Sequence, residues 1–203
     1  MTLTEINIDA VTIKYAIESL QRYFPVSHDQ AVFMLARSEI RKFDKRTIVL
    51  EEGQMENYLN MVVSGLVRKY VRRAKSDITL QLATEGHIIH SEISFLRRIP
   101  SPVVLETIEP TTLIALSFTN LEDMLENMPG GNRMGRQLLV AMLIKKDERH
   151  YKQLQLTTRE RFLEYMNNHP HMLQRVPQKY LASYLNIKPE TFSRLKHLVR
   201  LKQ

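Results

Sequence analysis

The stretch VPQKYLASYLNIKPETFSRLKHL, Val176 to Leu198, decides how the rest of the chain is read. Leu181 and Leu185 lie four residues apart and share one face of a short first helix, while Phe192, Leu195 and Val199 mark the buried face of a second. Ala182 is small enough to let the two helices cross closely. Asn186 sits where the chain must turn sharply, and asparagine tolerates left-handed backbone angles better than most residues. Ile187 plugs the junction, and Lys188-Pro189 opens the second helix with proline in its first turn, where the missing N–H does no harm. Glu190, Thr191, Ser193, Arg194 and His197 then fall on the outer side or margins of a second helix over 189–200, as a surface able to read a partner.

The charge around this stretch says which partner. The chain has 203 residues and a net charge of +7. From His171 to Gln203 there are seven basic residues (Arg175, Lys179, Lys188, Arg194, Lys196, Arg200, Lys202) against one acid, Glu190, so almost the whole imbalance sits at this end. A basic end on a near-neutral body suits a polyanion, because each cation placed on a phosphate releases a condensed counterion. On double-stranded DNA, arginine bonds bidentately to guanine and glutamate accepts from cytosine; this points to Glu190, Arg194 and Ser193 as base readers. Gln178, Lys179, Lys188, Thr191 and Lys196 are placed for phosphates. A plain two-helix hairpin with solvated charges is the bland alternative, and spacing, turn chemistry and charge together argue against it.

Upstream, the texture changes twice. The first 37 residues read as helical, with Val11, Ile13, Ala16, Ile17 and Leu20 on one face and Ser27 as N-cap of a second helix carrying Ala31, Val32 and Leu35. From Ile40 to Ser117, short β-branched runs (47–50, 59–63, 66–71, 78–82, 87–89, 103–108, 112–116) alternate with turn formers such as Ser64-Gly65 and Glu85-Gly86. That spacing predicts a small antiparallel β-roll or jelly roll. Helix returns after Asn120, and after the break at Pro129-Gly130-Gly131 a long segment runs from Arg133 to Leu156 with Leu138, Leu139, Met142, Leu143, Tyr151 and Leu154. It either packs wholly on its own domain or pairs with its copy in a homodimer; its length favours the second, with Leu138, Met142 and Leu154 as candidate dimer contacts. Thr157 or Thr158 caps another helix that His169-Pro170 ends.

The fold class expected is therefore α+β: a β-roll sensor over 1–128 with flanking helices, a dimerisation helix over 129–157 and a helix-turn-helix over 158–203. No run approaches the length of a membrane span and no secretory leader is evident, so a cytoplasmic protein is expected. The absence of cysteine excludes disulfides, thiolate metal sites and cysteine nucleophiles, and fits a reducing compartment. An enzyme reading rests on His87, His90 and Glu92, but residues an odd number apart on a strand point to opposite faces, so no metal site and no catalytic residues are expected. The other rival is a ligand-binding or interaction module whose helix-turn-helix has left DNA behind; the chain's end at Gln203, with no room for a β-wing, favours it, and the basic end opposes it.

The order helix, β-roll, long helix, helix-turn-helix, with ETFSR in the second helix, resembles the cyclic AMP receptor protein and fumarate–nitrate reduction regulator family over nearly the whole chain. VVSGLVRKY (Val62 to Tyr70) and EGHIIHSEISFL (Glu85 to Leu96) are similar to its roll repeats. The resemblance implies a bacterial transcription regulator, a homodimer that binds double-stranded DNA and works with RNA polymerase, and base reading by Glu190 and Arg194. It also implies an effector pocket at Ser91, Glu92 and Ser101. In the family's nucleotide-binding members an arginine faces the cyclic phosphate; here Ser101-Pro102 stands at that place, leaving Arg97 or Arg98 as candidates to restore the charge. The expectation is thus no certain cofactor, and a small-molecule effector other than a cyclic nucleotide held in the usual way.

Overall fold

The computed structural model describes residues 10–23 and 25–200. The readings made for residues 1–9 and 201–203, and for the side chains of Val11, Val199, Arg200 and Lys202, lie outside it. Two helices open the fold, α1 (Ala10–Gln21) and α2 (His28–Leu35). Ser27 caps α2 through a capping box with Gln30, each side chain taking the other's backbone N–H.

Eight strands follow: β1 (Ser38–Phe43), β2 (Ile48–Leu50), β3 (Tyr58–Ser64), β4 (Val67–Val71), β5 (Ile78–Ala83), β6 (Ile88–Ile89), β7 (Val104–Thr107) and β8 (Thr111–Ser117). They form two antiparallel four-stranded sheets, ordered β1-β8-β3-β6 and β2-β7-β4-β5, whose inner faces enclose Leu50, Val62, Val67, Ala83, Ile89, Leu105 and Leu113. This is the expected roll, with β1 added at an edge where sequence patterning marked no separate run. Gly65 makes the β3–β4 turn possible: its φ is +101°, and a Cβ there would stand 2.5 Å from the Pro110 carbonyl oxygen.

A short helix, α3 (Glu92–Arg97), interrupts the roll between β6 and β7. After it come α4 (Phe118–Asn127) and the 25-residue α5 (Gly131–Gln155). α1, α2, β3, β8 and the first half of α5 share one core, with Leu20, Leu35, Met61, Leu116, Met134 and Leu138 buried together. The chain ends in α6 (Thr158–Asn168), α7 (Met172–Arg175), α8 (Gln178–Tyr184) and α9 (Pro189–Arg200). Thr157 caps α6 in a second capping box, with Glu160. A third core joins these last helices (Phe162, Met166, Met172, Leu181, Phe192) to Leu66, Leu82 and Ile108 of the roll.

Candidate nucleic-acid interface and effector pocket

The turn between α8 and α9 is built by its own backbone. The Ile187 N–H donates to the Ala182 carbonyl at 2.9 Å and the Asn186 N–H to that of Ser183 at 3.1 Å. This is the Schellman pattern, which needs one left-handed residue, and Asn186 supplies it at φ 54°. Leu181, Ala182, Leu185, Ile187 and Phe192 are buried, and the Phe192 ring meets Phe162 edge-on at 5.2 Å. With that inner face fixed, Glu190, Ser193, Arg194 and His197 stand exposed on α9, Thr191 and Lys196 are half-buried at its margins, and Gln178, Lys179 and Lys188 are exposed beside it. The base-reading candidates Glu190, Ser193 and Arg194 are thus solvent-exposed on α9, and the phosphate candidates lie on α8, α9 and the turn between them, exposed or half-buried.

That surface is anchored to the roll by contacts that sequence patterning did not reveal. Arg175 donates to the Gly65 carbonyl at 3.0 Å, forms a bidentate pair with Glu85 at 2.7 and 2.9 Å, and also pairs with Glu109. Its charge is spent inside the molecule, so it leaves the basic end proposed for DNA. The Arg68 guanidinium of β4 is almost fully buried between the rings of Tyr70 and Tyr180, 4.0 and 3.8 Å from their centroids. Ser183 of α8 accepts from the Thr79 N–H at 2.9 Å and donates to the Asp77 carbonyl. Arg149 of α5 donates to the carbonyls of Leu80 and Tyr184, tying long helix, sheet and α8 at one point.

In the roll, Ser91 is the N-cap residue of α3, and its hydroxyl lies within hydrogen-bond distance of that of Ser101, at 2.9 Å. Ser101 in turn donates to the Val103 carbonyl at 2.8 Å. Glu92 is met by a residue not foreseen: the Lys69 ammonium of β4 lies 2.8 Å from both carboxylate oxygens and 3.1 Å from the His90 carbonyl. The Lys69 side chain is 7% exposed and that of Glu92 39%. Burial accordingly pulls the lysine below its usual range against the pull of Glu92, whereas for Glu92 the cost of burial is outweighed by the nearby positive charge, which holds the carboxyl low. The two directions fit the unequal enclosure. Arg98 does not restore the missing charge: its left-handed backbone turns it away, onto the Glu56 carbonyl at 2.7 Å, the Asn57 side chain at 2.6 Å and the Phe118 ring. Arg97 is exposed at the end of α3.

Residues 40–128 match the family described as the cyclic nucleotide-binding domain. The roll is similar to that domain. Beyond it, most of the chain superposes on solved structures at low identity, which speaks to the fold alone. The c-di-GMP responsive global regulator CLP of Xanthomonas campestris is 18% identical, with 87% of this chain and 93% of that one covered and a TM-score of 0.63. FixK2 of Bradyrhizobium japonicum is 19% identical over 81% and 85%, with a TM-score of 0.63. The catabolite activator protein of Thermus thermophilus is 19% identical over 91% and 87%, with a TM-score of 0.53. The resemblance to the cyclic AMP receptor protein and fumarate–nitrate reduction regulators thus holds as a fold. No curated protein matches the sequence.

Within the roll the histidines stay apart. His87 bonds to Thr84, and His90 is buried with its ring edge-on to Phe95 at 5.4 Å. Among the described residues of one chain, no three His, Asp or Glu side chains gather as metal ligands. On α5, Leu138 is buried in the core that α1, α2 and the roll share, which takes it off the outward face, while Met142 is half-buried against that core. The outward face carries Leu139, Val140, Leu143, Ile144, Tyr151 and the candidate contact Leu154, the last 75% exposed. Among the described residues no helix is long and apolar enough to cross a membrane.

Proposed function

We propose that this chain is a DNA-binding transcription regulator that acts as a homodimer, with α9 of each subunit in the major groove of a palindromic site. The observation that carries this reading is the exposed row Glu190, Ser193, Arg194 on α9, backed by a buried face and a left-handed turn at Asn186. The solved neighbours include a protein named as a global regulator and one named as an activator. Glu190, Arg194 and Ser193 read bases; Gln178, Lys179, Lys188, Thr191 and Lys196 hold phosphates. The apolar outward face of α5 supports pairing, since six large apolar side chains exposed along one helix is more than solvation alone explains. In such a dimer the two α9 helices would lie about 34 Å apart, one DNA turn. DNA, a second copy and RNA polymerase are the partners, in the cytoplasm.

The effector side of the reading differs from the family's nucleotide-binding members. Lys69 neutralises Glu92 from within, and Ser101 is satisfied by Ser91 and Val103, so the groups that would greet a cyclic nucleotide already have partners. We infer that cyclic AMP does not control this protein. Any effector acts by favouring one arrangement of roll and head over another.

Two substitutions test the assignment of roles. Arg194→Ala is expected to cost roughly 1–3 kcal/mol on the preferred site and to relax base preference at one position. Lys179→Ala is expected to weaken all sequences alike and to lower the salt slope by about one. Equal losses across sequences for both variants would contradict the assigned roles.

A further inference from the structure

The outward face of α5 is polar at its centre. Val140, Leu143, Asp147, His150 and Leu154 follow at alternating spacings of three and four, the seam pattern of a two-stranded coiled coil. Val140, Leu143 and Leu154 are 48, 65 and 75% exposed, and Asp147 and His150 between them are exposed too. Asp147 stands nine residues after the buried Leu138, two and a half turns on, so it points straight away from the roll. The polar contacts of this half of the helix run through Arg149 and Lys152. Among the described residues neither Asp147 nor His150 joins an ion pair.

We propose that two copies of this chain, paired in parallel along α5, hold one divalent transition-metal ion between Asp147 and His150 of each subunit. The inference rests on the dimer reading above. A two-fold axis along the seam sets each Asp147 against its own copy, and two facing carboxylates repel unless a proton or a cation neutralises them. A carboxylate and an imidazole three residues apart lie on the same face one turn from each other, so the axis converts two such pairs into four ligands. Helix axes 8–10 Å apart leave that space for side chains reaching inward from both sides. Two nitrogens and two carboxylate oxygens complete the tetrahedron zinc prefers, with bonds of about 2.0–2.2 Å. Leu143 and Leu154 close the layer above and below. One chain alone supplies only half the ligands. The competing neutraliser is Lys146, next to Asp147 on the same helix, which would work without metal.

The test uses tag-free full-length protein stripped with a chelator, with zinc as the probe. Sedimentation equilibrium and zinc titration are run on the wild type and on Asp147→Asn/His150→Ala. One zinc per two chains, and a dimer dissociation constant at least tenfold lower with zinc than with chelator, are expected for the wild type only. A dimer equally tight in both conditions, or zinc binding that persists in the double variant, would overturn the metal site while leaving the dimer intact. A monomer under every condition would overturn the dimer reading and this inference with it.

Discussion

His90 is 3% exposed, and burial, with Lys69 adding to it and Glu92 opposing, brings its pKa down from 6.5 to about 4. His87 is displaced to about 4 as well, by burial first and the charge of Lys145 second. A base whose folded pKa lies below its unfolded value binds its proton first in the unfolded chain. Stability is therefore complete above pH 6.5 and is lost as pH falls toward 4. For His90 alone the loss is about 3 kcal/mol. Urea denaturation at pH 7 and pH 4.5 should show it, and His90→Leu should flatten the profile; an unchanged slope in that variant would contradict the assignment. At Lys69 the expectation is different in kind. Lys69→Met leaves Glu92 without its partner and should cost about 1–3 kcal/mol, the partial exposure of the carboxylate limiting the penalty, and a second change, Glu92→Gln, should restore most of it. The same residues show what a sequence conceals. Glu92 and Ser101 could be named from their place in a pattern, but Lys69 reads only as a polar position on a strand. Its partner lies 23 residues away and is found only when the two sheets close.

At the scale of elements, local chemistry was the better guide. Ser27, Thr157 and Asn186 were legible because a cap or a left-handed turn is decided by a few neighbouring residues, and each does in the structure what its type predicts. The long helix was legible as a helix but not in its rotation. Leu138 and Leu139 are adjacent in sequence, yet one is 6% and the other 51% exposed, because α4 and the roll approach from one side only. The surface left open should be the one that pairs. Leu143→Glu is expected to give monomers in sedimentation with unchanged far-ultraviolet circular dichroism, whereas Leu138→Ala should lower thermal stability by the cost of a core cavity, about 2–5 kcal/mol, without altering a dimer. A monomeric wild type would refute the assignment of this face.

At the scale of the whole molecule, head and roll are one folded unit rather than beads on a linker. Arg175 alone joins Glu85, Glu109 and a β3–β4 turn carbonyl, and Arg68 lies stacked between rings from sheet and head. These long-range pairs have no sequence signature, since Arg175 and Gly65 are 110 residues apart. α8 is bonded to β5 through Ser183 and stacked on Arg68 of β4 through Tyr180, and it leads directly into α9. Arg175→Ala is expected to loosen this junction, measured as faster amide exchange in α7 and α8 with that in β3 and β8 unchanged. Uniform exchange in variant and wild type would mean that the junction is held elsewhere.

The central claim is that α9 reads DNA in a paired molecule. It is tested most directly by fluorescence anisotropy of the full-length protein on duplexes from upstream of its own gene against scrambled duplexes, at fixed salt, with and without cyclic AMP. Saturable binding of two chains per site, preference for one sequence, loss of that preference in Arg194→Ala and indifference to cyclic AMP are expected. Binding equal on both duplexes and unchanged in Arg194→Ala would contradict it.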